Sequence, residues 1–355
     1  MLLAAALTHR PARAAPEAEP VAVIMAVGDV TLGGHFEPWI DGLYARGAVD
    51  DHGRIRYGMD RVRDLLTPAD VTLANLEGTF AQQSPRGPGK FVFKARPELA
   101  AVLLDGGVDV VSLGNNHIMD YGPGGVVETL GVLDAAGIGW SGAGRDTAEA
   151  RRPWRTEVRG LTLGFLSYKV TGLHNVRQPD KGVVFTATGP TVAWCHFDWV
   201  CIRDMVTEDV TRLAGEVDVV VVSFHWGQER KYDTDTYQVV LGRLAIDSGA
   251  KVVVGHHPHV VQGVELHGDG VIFYSLGNFL FGGNAEPFDP IGAVAEIHVG
   301  RRGVVSATLH PVRTTSASAP FQPTPLVDPE RESVLRQIAL RSRGFPRPIA
   351  QLGGL

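Results

Sequence analysis

The sequence predicts a layered α/β fold, and three observations predict it. Short β-rich runs recur along the chain, several of them continuously apolar, as strands buried on both faces are. Helical stretches that end in glycine fall between these runs. Towards the C-terminus strands follow one another with few helices between them, which adds an antiparallel portion. At 355 residues, 44% hydrophobic and 20% charged, the chain can bury a sizeable core and has an ordinary globular composition.

Residues 1–20, rich in Ala and Pro, read as a leader outside the fold. LLAAAL resembles the apolar part of an export signal, and Ala12-Arg13-Ala14 a small-residue cleavage site, but the run is short and lacks a basic start. A remnant of an export signal and a disordered leader both stay open. The expected strands are VAVIMAV (21–27), VTLAN (71–75), VDVVSL (108–113), LTLGFLSY (161–168), VDVVVVSF (217–224), KVVV (251–254), GVIFYSL (270–276), AVAEIHV (293–299) and VVSATLHPV (304–312). The expected helices are 97–107, 124–138 and 236–250. Residues 169–213 break this rhythm and are expected as an insertion over the active face. One domain over 21–312 is followed by a C-terminal tail over 313–355, irregular at first and then helical in ERESVLRQIALRS.

A net charge of −6 without a local run of Lys and Arg gives no electrostatic case for nucleic acid. No apolar run has the length of a membrane-spanning helix. Cys195 and Cys201 are too few for a disulfide framework. Two buried thiols are expected, with one disulfide in an oxidising compartment as the alternative.

Three imidazoles stand within four positions in GHHPHVVQGVE (255–265), directly after KVVV. Pro258 fixes its own φ and biases His257 towards an extended conformation. In an extended segment His257 and His259 face one way and His256 the other. The first pair can then converge on a metal ion, since neutral imidazole is a common ligand; a structural or acid–base role is the other reading of this segment alone.

Polar clusters follow almost every apolar run: GDVTLGGH (Asp29, His35), NLEG (Asn75, Glu77), GNNHIMDYG (Asn115, Asn116, His117, Asp120), HWGQE (His225, Trp226, Glu229), GHHPH and GNFLF (Asn278). In open α/β sheets ligands bind beyond the carboxyl ends of the strands, so one site can collect these clusters. Carboxylates and amides mixed with histidines suit one or two divalent first-row ions (Mn, Fe or Zn).

GDVTLG, NLEG, NNHIMDYG, HWGQE, GHHPHVVQ and YSLGNFLF, in this order between about residues 22 and 283, resemble the CapA family of poly-γ-glutamate synthesis and capsule proteins. The resemblance implies a layered α/β/β/α sandwich like that of the calcineurin-type metallophosphoesterases. It implies metal ligation by Asp29, Glu77, Asn116, His225, His257 and His259, and a reacting-group role for His117. Beside these, Asp120 is read as orienting His117 or capping its turn, and Glu229 as acting in proton transfer, binding substrate or standing as an exposed loop residue. His35, Asn75, Asn115, Trp226, His256 and Asn278 are expected on the substrate side, although for Trp226 a buried support of the His225 loop is the preferred reading. Two departures from the phosphoesterase pattern stand out. Val30 and Thr31 follow Asp29 where a histidine ligand would be, and Glu77 replaces the second aspartate. The implied activity is metal-dependent hydrolysis or transfer at an amide bond, γ-glutamyl or peptide-like, in an anionic substrate. Phosphate-ester hydrolysis and a non-catalytic polymer-binding or scaffold role are the alternatives. A biosynthetic complex is the implied partner, and an extracytoplasmic place is the family's expectation.

Overall fold

The computed structural model describes residues 19–48, 57–170, 188–195 and 198–347. Of the leader expected over residues 1–20, residues 1–18 lie outside the described residues. The first half of the chain forms β1 (Ala22–Thr31), α1 (Phe36–Ala45), β2 (Val71–Leu76), α2 (Ala100–Asp105), β3 (Val110–Ser112), α3 (Gly122–Ala136), β4 (Gly139–Ser141), β5 (Trp154–Val158) and β6 (Leu161–Lys169). The second half forms α4 (Trp199–Ala214), β7 (Val219–His225), α5 (Thr236–Asp247), β8 (Val252–His256), β9 (Val264–His267), β10 (Gly270–Phe273), β11 (Asn278–Phe281), β12 (Ile291–Gly300), β13 (Gly303–Arg313), β14 (Thr324–Pro325) and α6 (Glu330–Ser342).

Two sheets result. The first runs β14-β13-β12-β1-β2-β3-β4, with β11 joining β1; the second runs β9-β10-β8-β7-β6-β5. Strands β1 to β4 are mutually parallel, as are β6, β7, β8 and β10. The late strands β12 and β13 pair antiparallel, as the lack of helices between them requires. Ile24, Leu73 and Val110 of the first sheet meet Phe165, Val221 and Val254 of the second in an apolar inner layer. Phe36, Leu103, Val126 and Leu130 close the outer face of the first sheet, and Val206, Val210, Leu241 and Ala245 that of the second. The fold is therefore the α/β/β/α sandwich, and each such side chain taken fully from water contributes about 1.5–3 kcal/mol.

Local signals set the helix ends. Pro123 lies in the first turn of α3, and Gly137, at φ 72°, closes it in the left-handed region that glycine enters without a Cβ clash. Asp235 and Gln238 form a capping box at the start of α5.

The structure departs from the sequence reading in three places. Residues 171–187 and 196–197 of the expected insertion lie outside the described residues, but α4 belongs to the outer layer. Its Ile202, Val206, Val210 and Leu213 recur at helical spacing and pack into the second sheet's core. The tail is also tied in: Tyr57 OH donates to Pro320 O at 2.6 Å, Phe321 packs edge-on against Phe36, and β14 pairs with β13. Cys195 and Cys201 form a disulfide with Cα atoms 5.8 Å apart, so the two are not the buried thiols expected.

Candidate metal centre

The carboxyl ends of β1 and β2 in one sheet meet those of β7 and β8 in the other. Asp29 pairs in register with Asn75 and Asn278 on its neighbouring strands, and His225 pairs with His256. A two-residue period thereby stacks the polar strand ends in rows. Glycine permits the close backbone approach that puts them there. A Cβ at Gly28 would lie 2.1 Å from Gly277 O, and one at Gly255 2.0 Å from Tyr274 O. With Gly28 in place, the Asp29 N–H donates to Gly277 O at 2.9 Å.

Glu77 sits at the centre. Three imidazole Nε2 atoms surround its Oε1: His225 at 3.7 Å, His117 at 3.8 Å and His259 at 3.8 Å. Asp29 is held separately. It accepts from Asn75 Nδ2 at 2.8 Å and from the His257 N–H at 3.3 Å, with His259 Nδ1 at 3.1 Å and His256 Nδ1 at 3.3 Å. One ligand atom each from Glu77, His225 and His257, from Asp29, Glu77 and His259, and from Glu229, His257 and His259 lies within 4.8 Å of the others. These groups overlap through Glu77, His257 and His259.

The donor set fits a divalent cation. Both Glu77 oxygens, Asn116 Oδ1, His225 Nε2 and His257 Nδ1 are buried without a hydrogen-bond partner. A buried carboxylate without donors is expensive unless a cation compensates it. Oxygen and imidazole ligands together suit first-row divalent ions.

The protonation states follow from burial and neighbours. Burial, then the His257 ring, drive His225 well below the ordinary imidazole value; burial, then His259, bring His257 down to about 3. Both present neutral lone pairs at neutral pH, as ligation requires. Burial, then the Asp29 charge, push Glu77 up to about 8. Burial opposes protonation of His259, but Glu77 and Asp29 prevail and lift it to about 10. At Asp29 burial acts upwards, yet His256 and His259 hold the carboxyl well below its usual range. His117 is raised: burial lowers it, and the charge and hydrogen bond of Asp120 outweigh that.

Asp120 orients His117. Its Oδ2 lies 2.7 Å from His117 Nδ1 and also accepts the Phe93 N–H at 2.6 Å. Glu229 is exposed on the rim, its carboxylate near His257 and His259.

The substrate-side expectations are corrected in several places. Trp226 is fully buried, stacked on Phe224, with Nε1 donating to Tyr274 O at 2.9 Å, so it is core support. His256 is also fully buried and faces Asp29, whereas the extended-segment argument turned it away from the site. Asn75 donates to Asp29. Asn115 accepts the His117 and Ile118 N–H groups at 3.0 Å, and Asn278 Oδ1 lies 2.9 Å from His259 Nδ1. From inside the protein, Asn75 and Asn278 hold Asp29 and His259, and Asn115 holds the turn that carries His117. His35 is exposed at the N-cap of α1 and does not join the cluster.

Segment 257–259 is not extended. His257 has φ 94° and His259 φ 55°, so the two rings converge through a left-handed turn. Non-glycine residues in that region cost about 1–3 kcal/mol and persist where their surroundings over-determine them.

The sequence reading passed over Lys169. It ends β6, is almost fully buried, and pairs in register with His225. Its positive charge is one of the causes that lower the His257 pKa. LTLGFLSY is one of the apolar runs not followed by a recognised polar cluster, and the next residue is this lysine.

Fold and site together define a four-layer α/β/β/α protein with a carboxylate–histidine cluster fitted to divalent metal at its strand ends. A family model described as bacterial capsule synthesis protein matches residues 23–283. The chain belongs to that family. It is 30% identical to the PGA biosynthesis protein CapA of Bacillus subtilis, over 78% of this chain and 70% of that one. It is 28% identical to the capsule biosynthesis protein CapA of Bacillus anthracis, over 79% of this chain and 66% of that one. A probable polyglutamine synthesis accessory protein of Mycobacterium tuberculosis is 30% identical over 60% of this chain and 56% of its own length. The chain thus spans about two thirds of the two CapA relatives. A crystal structure of a hypothetical protein from Thermus thermophilus aligns with a TM-score of 0.46 at 18% identity, covering 81% of this chain and 98% of that one. Among the described residues no helix is long and apolar enough to cross a membrane.

Proposed function

We propose that the protein is a metal-dependent hydrolase or transferase acting on an amide bond of γ-glutamyl or peptide-like type, in the synthesis or processing of a poly-γ-glutamate polymer. One observation carries the reading: three imidazole nitrogens face the buried, donor-less Glu77 carboxylate. The names of the relatives supply the polymer.

Asp29, Glu77, Asn116, His225, His257 and His259 would hold one or two divalent ions, which supply carbonyl polarisation and a water of lowered pKa. The residues of the chain do the rest. Asn75 and Asn278 fix the ligands Asp29 and His259, and Asn115 fixes the turn that carries His117. His117, held by Asp120 and raised in pKa above the ordinary imidazole value, gives a proton to the leaving nitrogen as the C–N bond breaks. Water or an amine acceptor adds to the carbonyl carbon, so the products are a carboxylate or a new amide plus the released amine.

Elemental analysis of untagged protein tests the metal, with His257→Ala and Asp29→Ala beside wild type. Wild type should carry one or two equivalents of a first-row ion, and both variants should lose it. Amine release from γ-glutamyl amides, set beside cleavage of an aryl phosphate in Mn²⁺ or Zn²⁺, tests the bond. Wild type that stays metal-free after incubation with Mn²⁺, Fe²⁺ and Zn²⁺ would end the catalytic reading; cleavage of the phosphate alone would change the bond.

A further inference from the structure

Arg86, Lys90 and Lys94 recur at a spacing of four in QQSPRGPGKFVFKAR, residues 82–96, a stretch that holds four basic side chains and no acidic one. In a chain of net charge −6 this is a local inversion of sign, too openly spaced to read as a basic run. The fourth cation, Arg96, is neutralised by Glu37 and Asp41 at 3.1 and 2.8 Å. The other three are exposed and form no ion pair among the described residues. Arg86 donates to Gly87 O at 3.4 Å and to Gly89 O at 3.0 Å. The Lys90 ammonium lies 5.1 Å from the Phe91 ring centroid, and that of Lys94 5.3 Å from the Tyr121 ring centroid.

The stretch is fastened along its length. Glu128 of α3 accepts the Gln82, Gln83 and Ser84 N–H groups at 2.6, 3.1 and 2.8 Å. The Gly87 N–H donates to Asp120 O at 2.8 Å, on the turn that carries His117. The Phe93 N–H donates to Asp120 Oδ2 at 2.6 Å, and its ring centroid lies 4.4 Å from that of His117. Phe93 also meets Phe281, which lies 4.9 Å from the His259 ring. Backbone contacts thus strap three unpaired cations beside the candidate metal centre. Like charges held close without counter-charge repel one another, and a partner with several spaced negative charges relieves this. Nucleic acid calls for a wider basic surface than three residues supply.

We propose that this strap binds an anionic polymer, engaging carboxylates of residues that flank the bond acted on. A γ-linked glutamate chain carries a carboxylate on every residue, so several can meet the strap while one amide lies at the metal centre. Long chains gain from this and short ones do not. Cleavage of that polymer rests on the function proposed above; its binding by the strap does not.

Fluorescence anisotropy on the full chain tests it, with a labelled γ-linked glutamate dodecamer and the matching trimer. Wild type should bind the dodecamer about tenfold tighter than the trimer or more, and raising salt from ~0.05 M to ~0.5 M should remove most of that gap. The combined variant Arg86→Gln, Lys90→Gln, Lys94→Gln should bind both lengths at the trimer's level, with melting temperature and metal content unchanged. Arg86→Lys, Lys90→Arg, Lys94→Arg together should bind as wild type does. The proposal is overturned by equal or absent binding of the two lengths in wild type, by insensitivity to salt, or by the wild-type length preference in the neutral variant. A single-stranded DNA dodecamer bound tighter than the glutamate dodecamer would also overturn it and make the strap a nucleic-acid surface. A dodecamer bound as expected but never cleaved leaves the strap standing and ends the hydrolytic reading. Cleavage of trimers with no gain for the dodecamer keeps the hydrolytic reading and ends the strap.

Discussion

Replacing Glu77 with glutamine separates what this carboxylate costs from what it does. Glutamine keeps the shape and removes a charge that no donor meets. In metal-free protein the raised pKa makes stability fall as pH rises, because the folded state holds a proton that the unfolded state has lost. The loss begins above the ordinary value of 4.5 and is complete above about 8. At about 1.4 kcal/mol for each pH unit, this corresponds to about 5 kcal/mol as an upper bound. The protonated His259 ring beside Glu77 reduces it, and a net gain of about 1–3 kcal/mol is expected for Glu77→Gln at pH 9. For a domain of this size that is about 2–5 °C in Tm. At pH 5 the two proteins should melt nearly together. Metal reverses the order. Wild type at a hundred times its Kd gains about 2.7 kcal/mol, and the variant, lacking the central anion, gains much less. Thermal unfolding after chelator treatment, at pH 5 and pH 9 with and without Mn²⁺ or Zn²⁺, reads all four arms. A metal-free variant less stable than wild type at pH 9, or equal stabilisation of both by metal, would refute the assignment of Glu77 as the centre of the site.

Asp120→Asn should leave the metal content unchanged, lower turnover about a hundredfold, and move the acid's limb of the pH–rate profile to lower pH, since the main cause that raises His117 is gone. Asp209 is fully buried and accepts from Arg151, Arg212 and Tyr168 OH. Asp209→Ala should therefore cost about 3–5 kcal/mol in urea unfolding, whereas alanine at the half-exposed Arg212 should cost under about 1 kcal/mol. Burial acts upwards on Glu128, but the N–H groups of Gln82, Gln83 and Ser84 and the Ser84 hydroxyl bring it down to about 2 from 4.5. Its stabilising share, about 1 kcal/mol after solvent screening, is present above the ordinary value and disappears as pH falls towards 2. Glu128→Gln should accordingly flatten that part of the acid unfolding curve.

The candidate ligands Asp29, Glu77, His225 and His257 were legible because each is a local event, an apolar run that turns polar at the point where a parallel strand ends. Lys169 marks the same kind of point, but a single lysine after SY reads as a solvated strand end. Its burial depends on Trp194 and on the facing sheet, which lie far away in sequence. Helix α4 was missed for a related reason: Ile202, Val206 and Val210 are diluted by Arg203, Asp204, Glu208 and Asp209, and Asp209 itself turns inward to the buried Tyr168. The turn at His257 shows a tertiary contact overriding a local rule. Pro258 disfavours the helical region for its predecessor, but the choice of φ 94° goes with a backbone N–H directed at Asp29, 228 residues earlier in the chain. The side amides carry the same lesson. Whether Asn75 and Asn278 face substrate or the candidate ligands is decided by strand register, and the pairing of Asp29 with both sets them beside Asp29 and His259. Composition and motif supply the kinds of atoms at such a centre; the register of two sheets decides which of them reach it.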